Sequence, residues 1–168
     1  MPVSLPPVID TESRVIILGT MPSDISLERK EYYANPRNQF WKIIYGIYNQ
    51  TPSDDYNEKC SFLLSRKIAL WDVLYSCERE RNADANITNP VPNDFKSLFN
   101  DYPGIKAVFF NGKRAETLFN RLAKNSLDGF LFYQRLPSSS SANSRMTLDE
   151  KAKEWKIVKQ YILRPMCS

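Results

Sequence analysis

Arg14-Val15-Ile16-Ile17-Leu18-Gly19-Thr20-Met21-Pro22-Ser23 is the stretch on which the fold turns. An unbroken apolar run closed by glycine is the pattern of a strand buried on both faces, as in the middle of a parallel sheet. Three further runs read the same way: Lys67-Ile68-Ala69-Leu70-Trp71, Lys106-Ala107-Val108-Phe109-Phe110 and Gly129-Phe130-Leu131-Phe132-Tyr133-Gln134. Each ends in polar residues or Gly/Pro punctuation. Helical stripes separate them. Phe40, Ile44 and Ile47 recur at i, i+4, i+7, and Tyr56, Cys60, Leu63 and Leu64 repeat the pattern. Phe95, Leu98 and Phe99 follow Asn93 as a candidate N-cap, and Ala115, Leu118, Phe119 and Leu122 trace another face. Thr147-Leu148-Asp149-Glu150 is a capping-box sequence that opens a last helix with Leu148, Ala152, Trp155 and Val158 on its buried side. Strands alternating with helices favour right-handed crossovers. The expectation is an α/β fold, a three-layer α/β/α domain around a central four-stranded parallel sheet. It spans residues 1–168 as a single domain, with residues 1–12 as an irregular, proline-rich arm.

Composition narrows the function classes. A chain of 168 residues, 42% hydrophobic and 25% charged, has the make-up of an ordinary globular domain rather than a disordered segment. No apolar stretch approaches the roughly 20 residues that cross a bilayer, and the start has neither a basic nor a long apolar segment. A soluble, cytoplasmic protein with no membrane partner is expected. Three cysteines, Cys60, Cys77 and Cys167, form no CxxC pair, which argues against a disulfide framework and against a zinc site. The net charge of +4 is compatible with a polyanionic partner without requiring one. The absence of histidine decides more. It removes Ser/His and Cys/His pairs, imidazole bases and HExxH metal sites together. Chemistry must rest on amides, carboxylates, hydroxyls, lysine or bound water.

In an open parallel sheet, residues just beyond the strand carboxyl ends share one crevice, where such folds bind ligands. Here those residues are Gly19-Thr20-Met21, Asp72, Asn111-Gly112 and Pro137-Ser138. Amides, one carboxylate and small residues beside aromatics suit a pocket that hydrogen-bonds a flat heterocycle.

The chain resembles the uracil-DNA glycosylase superfamily, and within it the hypoxanthine (deoxyinosine) DNA glycosylase branch. The likeness rests on six segments in order: Leu18–Ser23, Tyr32-Tyr33-Ala34-Asn35-Pro36-Arg37-Asn38-Gln39-Phe40-Trp41, Ala69–Leu74 with Ser76-Cys77-Glu78-Arg79, Val91–Phe95, Phe110-Asn111-Gly112, and Leu136-Pro137-Ser138 through Asn143. Thr20, Ser23, Ser139 and Ser141 depart from that family's Gly-Ser-Met-Pro-Gly first loop and Ser-Thr-Ser-Pro-Ala last loop. The resemblance implies a monofunctional enzyme without metal or organic cofactor. Its partner would be DNA holding a deaminated base, hypoxanthine foremost, with uracil and xanthine as further candidates. The base would be flipped out and its N-glycosidic bond hydrolysed, leaving an abasic site.

By the same resemblance Asn38, the asparagine of an Asn-x-Phe-Trp motif, is the catalytic candidate. Its amide would hold the attacking water or the nucleotide, although an asparagine here is also a natural helix N-cap. Asp72 falls where the superfamily carries a base-reading side chain. Its carboxylate would accept the N1–H of hypoxanthine, a donor adenine lacks, or else serve as an ordinary turn residue. Tyr33 and Phe40 are candidates for stacking on the base, with Phe40 at helical spacing also reading as core. Gly19, Thr20 and Met21 offer backbone amides, and Asn111 a side-chain amide, for base binding. Ser138, Ser139, Ser140, Asn143 and Arg145, with Lys113 and Arg114, are the expected DNA-binding set. A plain serine-rich loop and solvated helix cations are the alternative. Two other classes stay open: a nucleic-acid-binding module without catalysis, and an N-glycosidase of free nucleosides. A serine hydrolase is disfavoured, since no GxSxG and no base for a hydroxyl are present. The expected state is a monomer.

Overall fold

The computed structural model describes residues 2–80, 86–127, 129 and 131–164. Among these, the strands are β1 (Val15–Gly19), β2 (Ile68–Asp72), β3 (Leu74–Glu78), β4 (Thr88–Pro92), β5 (Ala107–Asn111) and β6 (Phe132–Leu136). The helices are α1 (Asp24–Arg29), α2 (Phe40–Gly46), α3 (Tyr56–Ser65), α4 (Phe95–Asp101), α5 (Lys113–Leu122) and α6 (Leu148–Leu163). The central sheet is four-stranded and parallel, in the order β2-β1-β5-β6.

The double burial read from the apolar runs holds for β1, β2 and β5, whereas β6, at the sheet edge, buries only Leu136 and leaves Phe132 exposed, because no further strand among the described residues pairs with its outer side. Val15, Ile17, Leu70 and Phe109 face one core with Phe40, Ile44, Leu63, Trp155 and Val158. Ile16, Leu18, Ala69, Val108 and Phe110 face the other with Phe95, Leu98, Ala115, Leu118 and Phe119. Successive residues of a strand point to opposite faces, so a strand covered on both sides must be apolar throughout. Three layers result. The outer edge of β2 is closed by the N-terminal arm, where Val8 and Leu70 exchange both backbone hydrogen bonds at 2.9 Å. This removes an exposed strand edge. The arm is pinned by Tyr32 Oη, which donates to the Leu5 and Pro6 carbonyls at 3.0 and 2.8 Å, and by Trp71 Nε1 on the Leu5 carbonyl at 3.1 Å.

Some elements differ from expectation. β3 and β4 form a separate antiparallel hairpin that the strand pattern did not reveal. β3 follows β2 after one residue, so no turn signal separates them, and the prolines of β4 read as irregular chain. α1 is likewise unexpected, a short helix capped by Ser23 Oγ, which accepts from Ser26 N–H at 3.2 Å. β6 begins at Phe132 rather than Gly129, and Phe130 and Cys167 lie outside the described residues. The N-cap of α4 is Asp94, whose carboxylate accepts from Ser97 N–H at 3.1 Å; Asn93 turns inward and donates to the Asp72 carbonyl at 2.8 Å. The α6 capping box forms as read, with Glu150 N–H on Thr147 Oγ1 at 3.1 Å and Thr147 N–H on Glu150 Oε2 at 3.3 Å.

Phe109, in β5 with no exposed surface, makes edge contacts with Phe132 and Tyr161. Phe109→Ala is expected to cost about 3–5 kcal/mol, read from the midpoint of chemical denaturation.

Candidate active site

The parallel register brings the strand ends level. Gly19 is paired with Asp72, Leu18 with Phe110, and Asn111 with Leu136, so Asp72, Gly19 and Asn111 stand side by side where the sheet stops. Above them is a cavity of about 240 Å³. That is below the roughly 300–1,000 Å³ of pockets for drug-sized ligands and fits a single heterocycle. Its wall includes Gly19, Thr20, Met21, Tyr33, Asn38, Asp72, Asn111, Ser138, Ser139 and Ser140. Segments more than a hundred residues apart in sequence therefore share one wall.

Gly19 is required by its neighbours. A Cβ there would lie 2.4 Å from Asp72 Oδ1 and 2.8 Å from Tyr33 Oη, closer than real contacts allow. Carboxylate and phenol thus lean over a bare backbone. Tyr33 holds a left-handed φ of 55° and stacks its ring on Phe40 at 4.1 Å between centroids, nearly parallel at 19°. Phe40 itself is fully buried under Tyr33 and is not part of the cavity wall. Its ring supports the tyrosine instead of meeting a ligand. The loop bearing Tyr33 is held by Ala34 N–H on Ser26 Oγ at 3.1 Å and Tyr32 N–H on Tyr56 Oη at 3.1 Å.

Two backbone donors fix the orientation of the site's amides, since a backbone N–H can only donate. Ser139 N–H donates to Asn111 Oδ1 at 2.8 Å, so the other end of Asn111 is its NH2 group. That group donates to Tyr33 Oη at 2.9 Å and to Ser139 Oγ at 2.8 Å. The Ser139 hydroxyl then donates to Asn38 Oδ1 at 2.8 Å, which also accepts Phe40 N–H at 2.9 Å. Asn38 therefore has its carbonyl end held from two sides, and its NH2 is the end left for a ligand. The N-cap position of α2 belongs to Gln39 and not to Asn38; the Asn38 side-chain carbonyl instead accepts Phe40 N–H from one residue earlier, a local turn bond that leaves its NH2 for a ligand. Asn111 is engaged at both ends within the protein, which makes it an organiser of the wall more than a reader of a base.

The first loop is oriented by the Val73 and Leu74 backbone and by Arg79, which itself lines the cavity. The carbonyls of Gly19 and Thr20 accept from Val73 and Leu74 N–H at 2.8 and 3.1 Å. Arg79, 3% exposed along its side chain, donates to the Met21 carbonyl at 3.4 Å and to that of Pro22. In planar trans peptides a carbonyl and the following N–H point opposite ways. The Thr20 and Met21 amides accordingly face away from the β3–β4 hairpin. Asp72, 3% exposed, is the one carboxylate among the described wall residues, and Arg79 the one guanidinium. Burial, foremost, and the Asp72 charge push the Tyr32 hydroxyl well above the usual phenol range, so it stays a donor to the arm.

The serine-rich segment is an ordered loop. Ser140 N–H donates to Ser138 Oγ and Ala142 N–H to Ser140 Oγ, both at 3.2 Å, as in local hydroxyl turns. Trp155 Nε1 holds the Pro137 carbonyl at 2.9 Å. Gly112, at φ 94°, lies where a Cβ would come within 3.1 Å of Ser138 Cβ. Ser139 has no exposed surface and its hydroxyl is held between Asn111 and Asn38, so its place is inside the wall and not on a phosphate-facing surface. Lys113, Arg114, Asn143 and Arg145 lie outside the cavity wall; Lys113 and Arg145 are exposed, and Asn143 Nδ2 donates to the Ser138 carbonyl at 3.4 Å. Sequence reasoning gave no role to Arg79, and passed over Lys151, 1% exposed on α6. The signal for Lys151 was present: it lies at i, i+4, i+7 with Trp155 and Val158, on the buried stripe. Among the described residues no group of three or more carboxylates or thiols is placed to hold a metal, and no helix is long and apolar enough to cross a membrane.

Residues 6–161 match the profile of the Uracil DNA glycosylase superfamily. The protein named hypoxanthine DNA glycosylase of Methanosarcina acetivorans is 33% identical over 157 residues, 91% of this chain and 94% of the relative. Its namesake in Methanosarcina barkeri is 32% identical over 151 residues, 89% and 92% of the two chains. A solution NMR structure from M. acetivorans, named as a candidate uracil DNA glycosylase, superposes with a TM-score of 0.81 at 31% identity, covering 96% of this chain and 98% of that one.

Removing the Ser139 hydroxyl leaves one NH2 proton of Asn111 without its acceptor and Asn38 Oδ1 with one donor fewer. Ser139→Ala is expected to lower stability by about 1–3 kcal/mol, measured by denaturant unfolding.

Proposed function

We propose, for a chain that belongs to the uracil DNA glycosylase superfamily and is therefore a DNA glycosylase, that hypoxanthine is the base it releases and that Asn38 and Asp72 carry the reaction and the choice of base. The observation that bears the reading is that these two side chains, from α2's approach and the end of β2, line one cavity of about 240 Å³. A flipped nucleotide leaves the stack to reach such a pocket, and its base is read there through its hydrogen-bonding edge.

In this reading the base slides against the Tyr33 ring, which Phe40 supports from behind. Asp72 accepts the N1–H of hypoxanthine. Adenine presents a bare lone pair at that position, so lone pair would meet carboxylate, a repulsion that costs more than any missing apolar contact. The Thr20 and Met21 amides are the donors nearest to hand for the base's carbonyl oxygen. As the glycosidic bond breaks, the sugar takes on oxocarbenium character and the base departs with the electron pair. Donors held in place before the reaction stabilise that charge without reorganising.

Asn38 does its work with an NH2 group, because its carbonyl is already held by Ser139 and Phe40. An NH2 donor grips water through one lone pair and leaves the other aimed at the anomeric carbon. Positioning of this kind supplies much of a barrier reduction when the electrophile is a cation in the making. The cations outside the cavity wall, Lys113, Arg114 and Arg145, are assigned to phosphates, together with Ser138, Ser140 and Asn143 as polar contacts.

Oligonucleotides carrying one inosine, uracil or xanthine, incubated with the protein and then treated with alkali, test the reading directly: strand breaks at inosine are expected, and none at any of the three would end it. Asn38→Ala is expected to reduce single-turnover excision by about 100- to 1,000-fold, as for loss of one preorganised donor, well beyond the stability loss of about 1–3 kcal/mol that follows from leaving the Ser139 hydroxyl and Phe40 N–H without their acceptor. Asp72→Asn should narrow the ratio of inosine to adenosine excision; the ratio is measured on matched duplexes.

A further inference from the structure

Lys151 is the one buried ammonium among the described residues, 1% exposed, and nothing in the reaction above uses it. Its Nζ donates to Gln39 Oε1 at 2.9 Å and to the Ser140 carbonyl at 3.1 Å. No carboxylate among the described residues forms an ion pair with it. Both partners are neutral, and the burial that surrounds the group disfavours its charged form and lowers its pKa.

For the fold alone this is a poor arrangement. A cation taken from water onto neutral acceptors loses more solvation than two hydrogen bonds return, and an apolar side chain of like length would fill the same space at no such cost. The position in the first turns of α6 adds to the disadvantage, since the helix dipole there favours negative charge. What the ammonium does accomplish is geometric. Gln39 directly follows Asn38, and Ser140 directly follows Ser139, the two residues joined by the hydrogen bond that turns the Asn38 NH2 outward. Gln39 N–H also donates to the Ser139 carbonyl at 2.9 Å. At the N-cap of α2 the Gln39 side chain makes no capping bond and reaches Lys151 instead.

We propose that Lys151 is a positioning residue, a strut from α6 that fixes the Asn38 and Ser139 loops against each other so that the asparagine amide meets the reacting centre. It acts through its neighbours and touches no substrate. The inference rests on the base-excision reading, and the two fail separately: a wild-type protein that releases no base ends that reading, whereas the inference is judged only on variants of an active wild type.

The test is single-turnover release of base from a duplex bearing the substrate the wild type excises, with Lys151→Met, Gln39→Leu and the double variant, alongside denaturant unfolding. Lys151→Met is expected to lose about 100-fold in rate, the scale of an ångström-sized misplacement, with KM for the duplex near wild type and an unfolding midpoint equal to or above it. The double variant should lose no more than the worse single one, as for two ends of one contact. A wild-type rate in Lys151→Met, a rate loss matched by lost stability, or losses that multiply in the double variant would each overturn the proposal. Should Lys151→Met not fold, Gln39→Leu decides alone: a comparable rate loss supports the strut, and an unchanged rate refutes it.

Discussion

The hydroxyl of Ser139 is where the site is assembled. It accepts from Asn111, an amide at the end of a central strand, and donates to Asn38, an amide at the entrance of a helix in the opposite layer. Without a hydroxyl at that point, the last loop and the second loop would be joined, among the described residues, only through the Gln39 N–H on the Ser139 carbonyl and through Lys151. With it, the direction of every amide follows from two backbone N–H groups, because each donor in the chain determines what the next atom must be. The backbone of Ser139 adds to the constraint by bonding Asn111 through its N–H and Gln39 through its carbonyl. A residue with no exposed surface thereby sets the orientation of one that faces the cavity.

This explains which parts were legible in the sequence. The apolar runs announced β1, β2 and β5 because strands covered on both faces must be apolar at every position, and the residues just past them met in one cavity because parallel strands end level. The Thr147 capping box was legible for a local reason, its two bonds closing within one turn. Features set by distant chain were not. The β3–β4 hairpin pairs a segment adjoining β2 with a proline-bearing one, and neither alone has the alternation of an independent strand. Ser139 read as one more hydroxyl in a serine run, since being buried or exposed depends on Asn111 and Asn38, which arrive from elsewhere. Phe40 stood at core spacing and in a motif at once; the structure gives it to the core, with Tyr33 between it and the cavity. Lys151 was readable from its helical phase, yet a charge on an apolar stripe is ordinarily discounted.

Two buried cations bind backbone carbonyls, Arg79 with Asp24 as an ion-pair partner at 3.9 Å and Lys151 with the Gln39 amide oxygen beside it. Arg79 draws back the carbonyls of Met21 and Pro22, and Lys151 that of Ser140. A loop peptide has a donor and an acceptor side, and turning one outward turns the other inward, except at Met21, whose carbonyl precedes Pro22 and so has no N–H opposite it. Gly19 and Thr20 have their carbonyls taken by Val73 and Leu74 in the same sense. The first loop therefore turns the Thr20 and Met21 N–H groups away from the hairpin, and the Asp72 carboxylate stands in the same wall as an acceptor. Such a wall favours a ligand rich in acceptors that offers one N–H at a particular place.

In the proposed reaction that polarity also provides for chemistry without an imidazole. A general base is needed when the nucleophile must be formed before it attacks. Where the bond to the leaving group breaks first, the electrophile is a cation and neutral water suffices, provided it is already aligned and the departing anion already solvated. The proton is then lost from an oxygen that has become acidic by bonding to carbon, so any water can take it. An asparagine whose carbonyl is held by Ser139 and Phe40 is suited to the alignment and unsuited to taking a proton, because the only end it offers is a donor. The orientation of one amide thus argues for a dissociative path on this scaffold. It follows that the arrangement must be stiff, since a side chain that contributes only position loses its effect once it moves.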